Sequence, residues 1–230
     1  MLPILLASCS LAPPPASALS RRAVLLGAAP FALTRAPRAA SALEDFVPPP
    51  LPPAEPEAAR RLLALVDGRR PSDWSDAERP EIDKLIDELA RLQAPWPRDK
   101  LVGKWKLAYL QPGPDGAGVD RRIPFPEFPF NDSFQRFGDG TVVNIGELLG
   151  PSLEVRVGGS LREDDTADLT SPKRFIASID GGQLCAFQSV CAPLPIKGEG
   201  IFDGVYLGQR LRIGQNLNGG GARIVQVRVM

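Results

Sequence analysis

The sequence predicts a mainly β protein, an antiparallel up-and-down β-barrel preceded by two amphipathic helices. From Leu101 onward, apolar residues alternate with polar ones at period two in nine short segments. Turn signals rather than helical stretches separate those segments. Glycine and proline are abundant, 22 and 25 of 230 residues, which favours many turns and short strands over long helices. Such a meander is most economically closed into a barrel, because closure removes free edges. The apolar last segment, IVQVRVM up to Met230, would otherwise be an aggregation-prone edge.

Residues 1–42 are expected to be a cleavable leader. They carry no acid, and Arg21-Arg22 precedes an apolar run, Ala23 to Leu33, that leads to Ala40-Ser41-Ala42. That run is broken by Gly27 and Pro30 and is short of the ~20 apolar residues a spanning helix needs. The twin arginines suit a Tat-type export signal. The acid-free, Ser-, Ala- and Pro-rich stretch ahead of them suits a plastid transit peptide, so the leader alone leaves bacterial export and delivery to the thylakoid lumen both open. Residues 43–56 include VPPPLPPAEP, which should be a stiff extended linker.

Residues 57–97 form the helical segment. One helix fits Pro56 to Val66, with Ala59, Leu62, Leu63 and Val66 on one face. A second fits Arg79 to Leu92, with Ile82, Leu85, Ile86 and Leu89 recurring at helical spacing. Their outer faces mix acids with bases, which favours packing on a core over lying on lipid.

Residues 98–230 form the barrel. In GKWKLAYL, Trp105, Leu107 and Tyr109 share a face; in SLEVRV, Leu153, Val155 and Val157 do. In RIVQVRV, Val225, Val227 and Val229 lie opposite Gln226 and Arg228. The other expected strands are Ser133 to Phe137, Thr141 to Leu148, Arg174 to Ile179, Gln183 to Val190, Gly198 to Tyr206 and Gln209 to Ile213. Turns are expected at Gly138-Asp139-Gly140, Gly158-Gly159, Asp180-Gly181-Gly182 and Gly219-Gly220-Gly221.

Several chemistries are excluded. The chain has no histidine, so it cannot build a Ser/His/Asp or Cys/His nucleophile and lacks the usual ligand of catalytic zinc or non-haem iron. Removing residues 1–42 takes four of the 27 basic residues and none of the 27 acidic ones, leaving about −4, which gives no basis for nucleic-acid binding. No phosphate-binding glycine motif opens a helix. The acids Glu163, Asp164, Asp165 and Asp168 lie in LREDDTADLTSPK, a polar loop without the spacing of a calcium site. No metal and no cofactor is therefore expected. Cys185 and Cys191 would be ~20 Å apart on a straight strand, so a disulfide needs a reversal near Gln188 to Val190; otherwise both are small buried hydrophobes. IPFPEFPFNDSF, residues 123–134, sets four phenylalanines among prolines, either as a plug for one barrel end or as an exposed lipid or partner contact.

LVGKWKLAYL, NDSFQRF, TVVNIGELLGPSLEVRV and GIFDGVYLGQRLRI, in that order across residues 101 to about 229, resemble the plastid lipid-associated proteins, or fibrillins. The resemblance implies a lipocalin-like barrel in a plastid, at thylakoids or plastoglobules, that binds lipids, quinones or carotenoids. Gly103-Lys104-Trp105 is similar to the G-x-W signature of lipocalins, whose Trp commonly packs under an Arg; Arg212 or Arg228 is expected to fill that role. The chain departs from the family at Gly208 and at Gly214-Gln215, where members often carry an acid and Arg-Gly.

These features give a non-enzymatic lipid, quinone or carotenoid carrier or scaffold in the chloroplast, with the thylakoid lumen favoured and peripheral contact with thylakoid or plastoglobule membranes. Candidate lining residues are Trp105, Tyr109, Phe175, Phe187 and Tyr206. Asp203 and Arg212 are expected to form an ion pair beneath Trp105 across the reversal at Gly208. Two alternatives are a lumenal lipocalin-type enzyme pairing Asp203 with Glu147 or Glu154 on a carotenoid, and a filled barrel that scaffolds photosynthetic complexes.

Overall fold

The computed structural model describes residues 54–114, 128, 130–164, 169–218 and 220–230. The expected leader, most of the Pro-rich linker, Phe125, Asp165 and Asp168 lie outside them.

Helix α1 spans Glu57–Val66 and α2 spans Arg79–Arg91, within a residue or so of the periodicity. Pro80 sits in the first turn of α2, where its missing N–H costs nothing. The apolar stripe of each helix is buried: Ala59, Leu62 and Val66 on α1, Ile82, Leu85, Ile86 and Leu89 on α2. Among the described residues no helix is long and apolar enough to cross a membrane.

Nine strands follow: β1 (Gly103–Gln111), β2 (Ser133–Gly138), β3 (Thr141–Glu147), β4 (Leu153–Glu163), β5 (Lys173–Ala186), β6 (Val190–Leu194), β7 (Gly198–Leu207), β8 (Leu211–Asn216) and β9 (Arg223–Arg228). All neighbours pair antiparallel in the order β4-β3-β2-β1-β9-β8-β7-β5-β6, and a further β4–β5 ladder closes the sheet into a ring. Strand β6 stands beside the ring on the second half of β5.

Several strand limits differ from expectation. Gly158-Gly159 and Asp180-Gly181-Gly182 are both expected turns, yet β4 runs on through the first and β5, 14 residues long, through the second. There the β4–β5 register shifts at Gly158/Gly159, and a Cβ on Gly159 would lie 2.0 Å from the Ser178 carbonyl oxygen. These glycines let two paired strands bend together instead of reversing one of them. The reversal comes later, at Phe187–Ser189, where Phe187 and Gln188 take left-handed φ of 48° and 62°. It sets Cys185 opposite Cys191, and the two form a disulfide with a Cα separation of 4.1 Å.

Bulges decide which residues face the interior. Between Leu107 and Tyr109 the β1–β9 register slips, so Trp105 points inward and Tyr109 outward, although strict alternation puts them on one face. A second slip, between Gly204 and Tyr206 on β7, turns Tyr206 outward as well. Two cores result. The outer core packs Leu62, Val66, Trp74, Ile86 and Leu89 on Tyr109, Tyr206, Leu211, Ile213 and Val225. Trp96, Leu101, Trp105, Phe137, Phe175 and Leu207 belong to the inner core, which fills one end of the ring.

Candidate functional site

The filled end is built around Trp105. Its indole Nε1 donates to the Leu101 carbonyl at 2.9 Å, and the Arg228 guanidinium lies 4.3 Å from the ring centroid. Arg228 also donates to the carbonyls of Lys100, Val102 and Gln209, tying the turn before β1 to the end of β8's hairpin. Gly103 makes this possible: its φ is +142°, and a Cβ there would stand 2.5 Å from Arg228 Nη1. Of the two arginines expected over Trp105, Arg228 therefore fills the role.

Arg212 lies deeper, on the inner face of β8, and is 1% exposed. Its guanidinium carbon is 4.5 Å from the Phe137 ring centroid and 5.4 Å from that of Phe202. Nη1 donates to Gln135 Oε1 at 2.9 Å and to Gln226 Oε1, and Gln135 Nε2 donates in turn to Asn144 Oδ1 at 2.7 Å. These acceptors are neutral amides, and Nε is buried without a partner. Burial with no facing carboxylate pushes the Arg212 guanidinium down to about 9.

Ladder partners share a face, so the inward set extends beyond Arg212. Gln226 pairs with Leu107 and with Arg212, Ile224 with Leu110 and with Gly214, and Asn144 with Gln135 and Val157. Leu107, Leu110, Asn144, Val155 and Ile224 point inward but remain half-buried rather than buried. One end of the ring is thus packed shut, and the other leaves aliphatic wall within reach of solvent. Antiparallel pairing places the C-terminal end of β1 and the N-terminal ends of β2, β4 and β9 at this open end.

The expected site residues divide accordingly. Trp105 and Phe175 lie inside, in the packed floor. Tyr109 and Tyr206 lie outside, under the helices; Tyr109 donates to Asp83 Oδ1 at 2.8 Å and meets Trp74 edge-on at 5.7 Å. Phe187 lines nothing, being 75% exposed at the β5–β6 tip. The expected Asp203–Arg212 ion pair is not formed. Strand β8 begins at Leu211 rather than Gln209, with Gly208 N–H donating to the Leu211 carbonyl, so Asp203 faces Gln215 and Leu207 faces Arg212. Asp203 points outward and accepts from Arg174 Nε and Nη2 at 2.9 and 3.1 Å.

Glu147 and Glu154 oppose each other across β3–β4, Glu154 held by Arg156 and Glu147 by the Asp132 backbone N–H. Burial raises Glu147 above the usual carboxylate range. Glu163 is held by Arg98 and Lys173. No group of three or more acids and cysteines suited to a metal ion occurs among the described residues.

Period-two alternation sets Gln226 opposite valines that read as core-facing, so the sequence carries no signal for the network of Gln135, Asn144 and Gln226 around Arg212. The valines do face a core, but it is the helical one outside the ring. No protein-family model matches the chain, and neither a curated protein nor a solved structure matches it.

Proposed function

We propose that the chain is a non-enzymatic, lipocalin-like barrel of the plastid lipid-associated, or fibrillin, type that holds or scaffolds an apolar lipid, quinone or carotenoid. The observation that carries this reading is the contrast along the inner wall. Trp105, Phe137 and Phe175 pack the floor, whereas Leu107, Leu110, Val155 and Ile224 line the other end half-exposed. Antiparallel barrels of about eight strands either fill with side chains or hold one small ligand, and the half-exposed wall at one end supports the second.

A carrier suits the acids better than an enzyme does. Asp203 and Glu154 face outward and are each engaged by an arginine, an arrangement unlike the close, desolvated pair that acid–base work on a carotenoid requires. A chloroplast home, with the thylakoid lumen favoured, rests on the leader and the resemblance. Contact with thylakoid or plastoglobule membranes is supported by Phe130, Leu149, Phe187 and Val190, exposed large apolar residues near the open end. They adjoin one another: Phe187 N–H donates to the Ser152 carbonyl, and Gly150 lies against Phe130.

The test is extraction of the purified protein with organic solvent, followed by mass spectrometry of what it releases. A bound apolar lipid, quinone or carotenoid near equal stoichiometry is expected. A clean protein that also takes up none of these when offered them would favour a filled scaffold instead.

A further inference from the structure

Arg212 is a fully buried cation whose hydrogen bonds go only to uncharged amide oxygens. An isolated charge is costly to bury, and proteins ordinarily answer it with an opposite charge. Both bonds leave from Nη1, so the opposite edge of the planar fork, Nε and Nη2, carries none. That edge has the shape a carboxylate takes side-on, with two parallel N–H donors. The guanidinium carbon is near two rings, 4.5 Å from the centroid of Phe137 in the packed floor and 5.4 Å from that of the half-buried Phe202. Beyond it the wall continues toward the open end through Leu107, Leu110, Val155 and Ile224, apolar and half-exposed.

We propose that the ring binds a single-chain amphiphile head-first, its carboxylate paired with the free edge of Arg212 and its hydrocarbon chain lying along the aliphatic wall. This rests on the carrier reading above and narrows it, since a carotenoid hydrocarbon or a neutral quinone offers no counter-charge. The ring of Phe202 has to turn aside for the head to seat. On its mouth side β7 carries Gly200, where an added Cβ would meet only the Ala177 Cβ, at 3.9 Å. Gln135 and Gln226 accept from Nη1 on the guanidinium's other side, and Asn144 accepts from Gln135 Nε2 and so fixes that amide, which holds the fork in one orientation.

The experiment is calorimetric titration of the full chain at neutral pH with laurate and with dodecanol, which share one chain and differ in the head. Hydrogen bonds to a charged partner predict that laurate binds about 10- to 100-fold more tightly. Arg212→Met should remove the preference, bringing laurate and dodecanol to similar affinity, with melting monitored to show that the variant folds. If the variant does not fold, the comparison of the two heads on the unaltered chain decides. Equal affinity for laurate and dodecanol, or preference for the alcohol, overturns the carboxylate head and leaves the carrier reading standing. Binding of neither overturns the head-first amphiphile, and the carrier reading then stands or falls on the extraction and uptake test above.

Discussion

Tyr109 and Tyr206 are the only tyrosines in the chain, and both are buried between the ring and the helices. Burial, joined for Tyr109 by its bond to Asp83, pushes each phenol up to about 12. A phenol whose pKa is raised by folding contributes stability that is fully present below the unfolded value, about 10, and is lost as pH rises through about 12. The expected outcome is that ultraviolet titration of the native protein shows almost no tyrosinate near pH 10, while the urea-unfolded chain titrates there. Stability to urea should decline between those two values, and less so in Tyr109→Phe. Titration of one full tyrosine near pH 10 without unfolding would contradict the packing of that residue. At this scale the sequence was half legible. Trp105 was recognisable from Gly103 and its spacing, and the Arg above it was narrowed to two positions. The partner of Asp203 was not legible, because the connection runs over Gly208, Gln209 and Arg210, one residue longer than expected, and the slip between Gly204 and Tyr206 shifts the β7–β8 pairing further.

The β5–β6 hairpin shows what a single element adds. Its tip puts Phe187 and Gln188 in the left-handed region, which disfavours residues other than glycine by about 1–2 kcal/mol each. The turn nevertheless presents Phe187 to solvent, beside Val190, with the Cys185–Cys191 disulfide two residues behind. A strained turn that displays an apolar ring is better suited to contact than to folding. Phe187→Gly should therefore raise stability by about 1 kcal/mol through relief of φ while weakening flotation with vesicles of plastid-type galactolipid. A variant that gains stability and floats unchanged would remove the tip from any membrane contact. Strands and helices were largely readable from periodicity; the hairpin was legible only as the reversal near Gln188 to Val190 that a Cys185–Cys191 disulfide requires, and that disulfide forms. Asp180-Gly181-Gly182 has the composition of a turn, but its glycines serve the β4–β5 bend, whereas the real reversal uses Phe and Gln, which no turn rule selects.

Across the whole molecule, the helices determine which side of the sheet is apolar. Without them, period-two alternation places Val225 and Val227 inside and Gln226 on the opposite face. With α1 and α2 laid over β1, β9, β8 and β7, the valines meet Leu62, Val66 and Leu89, and the polar positions turn into the ring. That inversion produces a polar belt inside a ring with an apolar wall, and it makes the helical segment part of the fold rather than an appendage. Trp74, in the link between the helices, donates to the Ala108 carbonyl at the β1 bulge, and Arg223 on β9 pairs with Asp87 on α2. A fragment comprising residues 98–230 would expose Tyr109, Tyr206, Leu211, Ile213, Val225 and Val227 together. That patch is larger than a soluble surface tolerates, since each buried aliphatic or aromatic side chain is worth about 1.5–3 kcal/mol. The fragment is expected to aggregate or to lack cooperative melting by circular dichroism, and adding the separate peptide 54–97 should restore a soluble, cooperative complex. If residues 98–230 fold alone with a sharp transition and remain monomeric on gel filtration, the inner core suffices even without Trp96 and the outer one is dispensable.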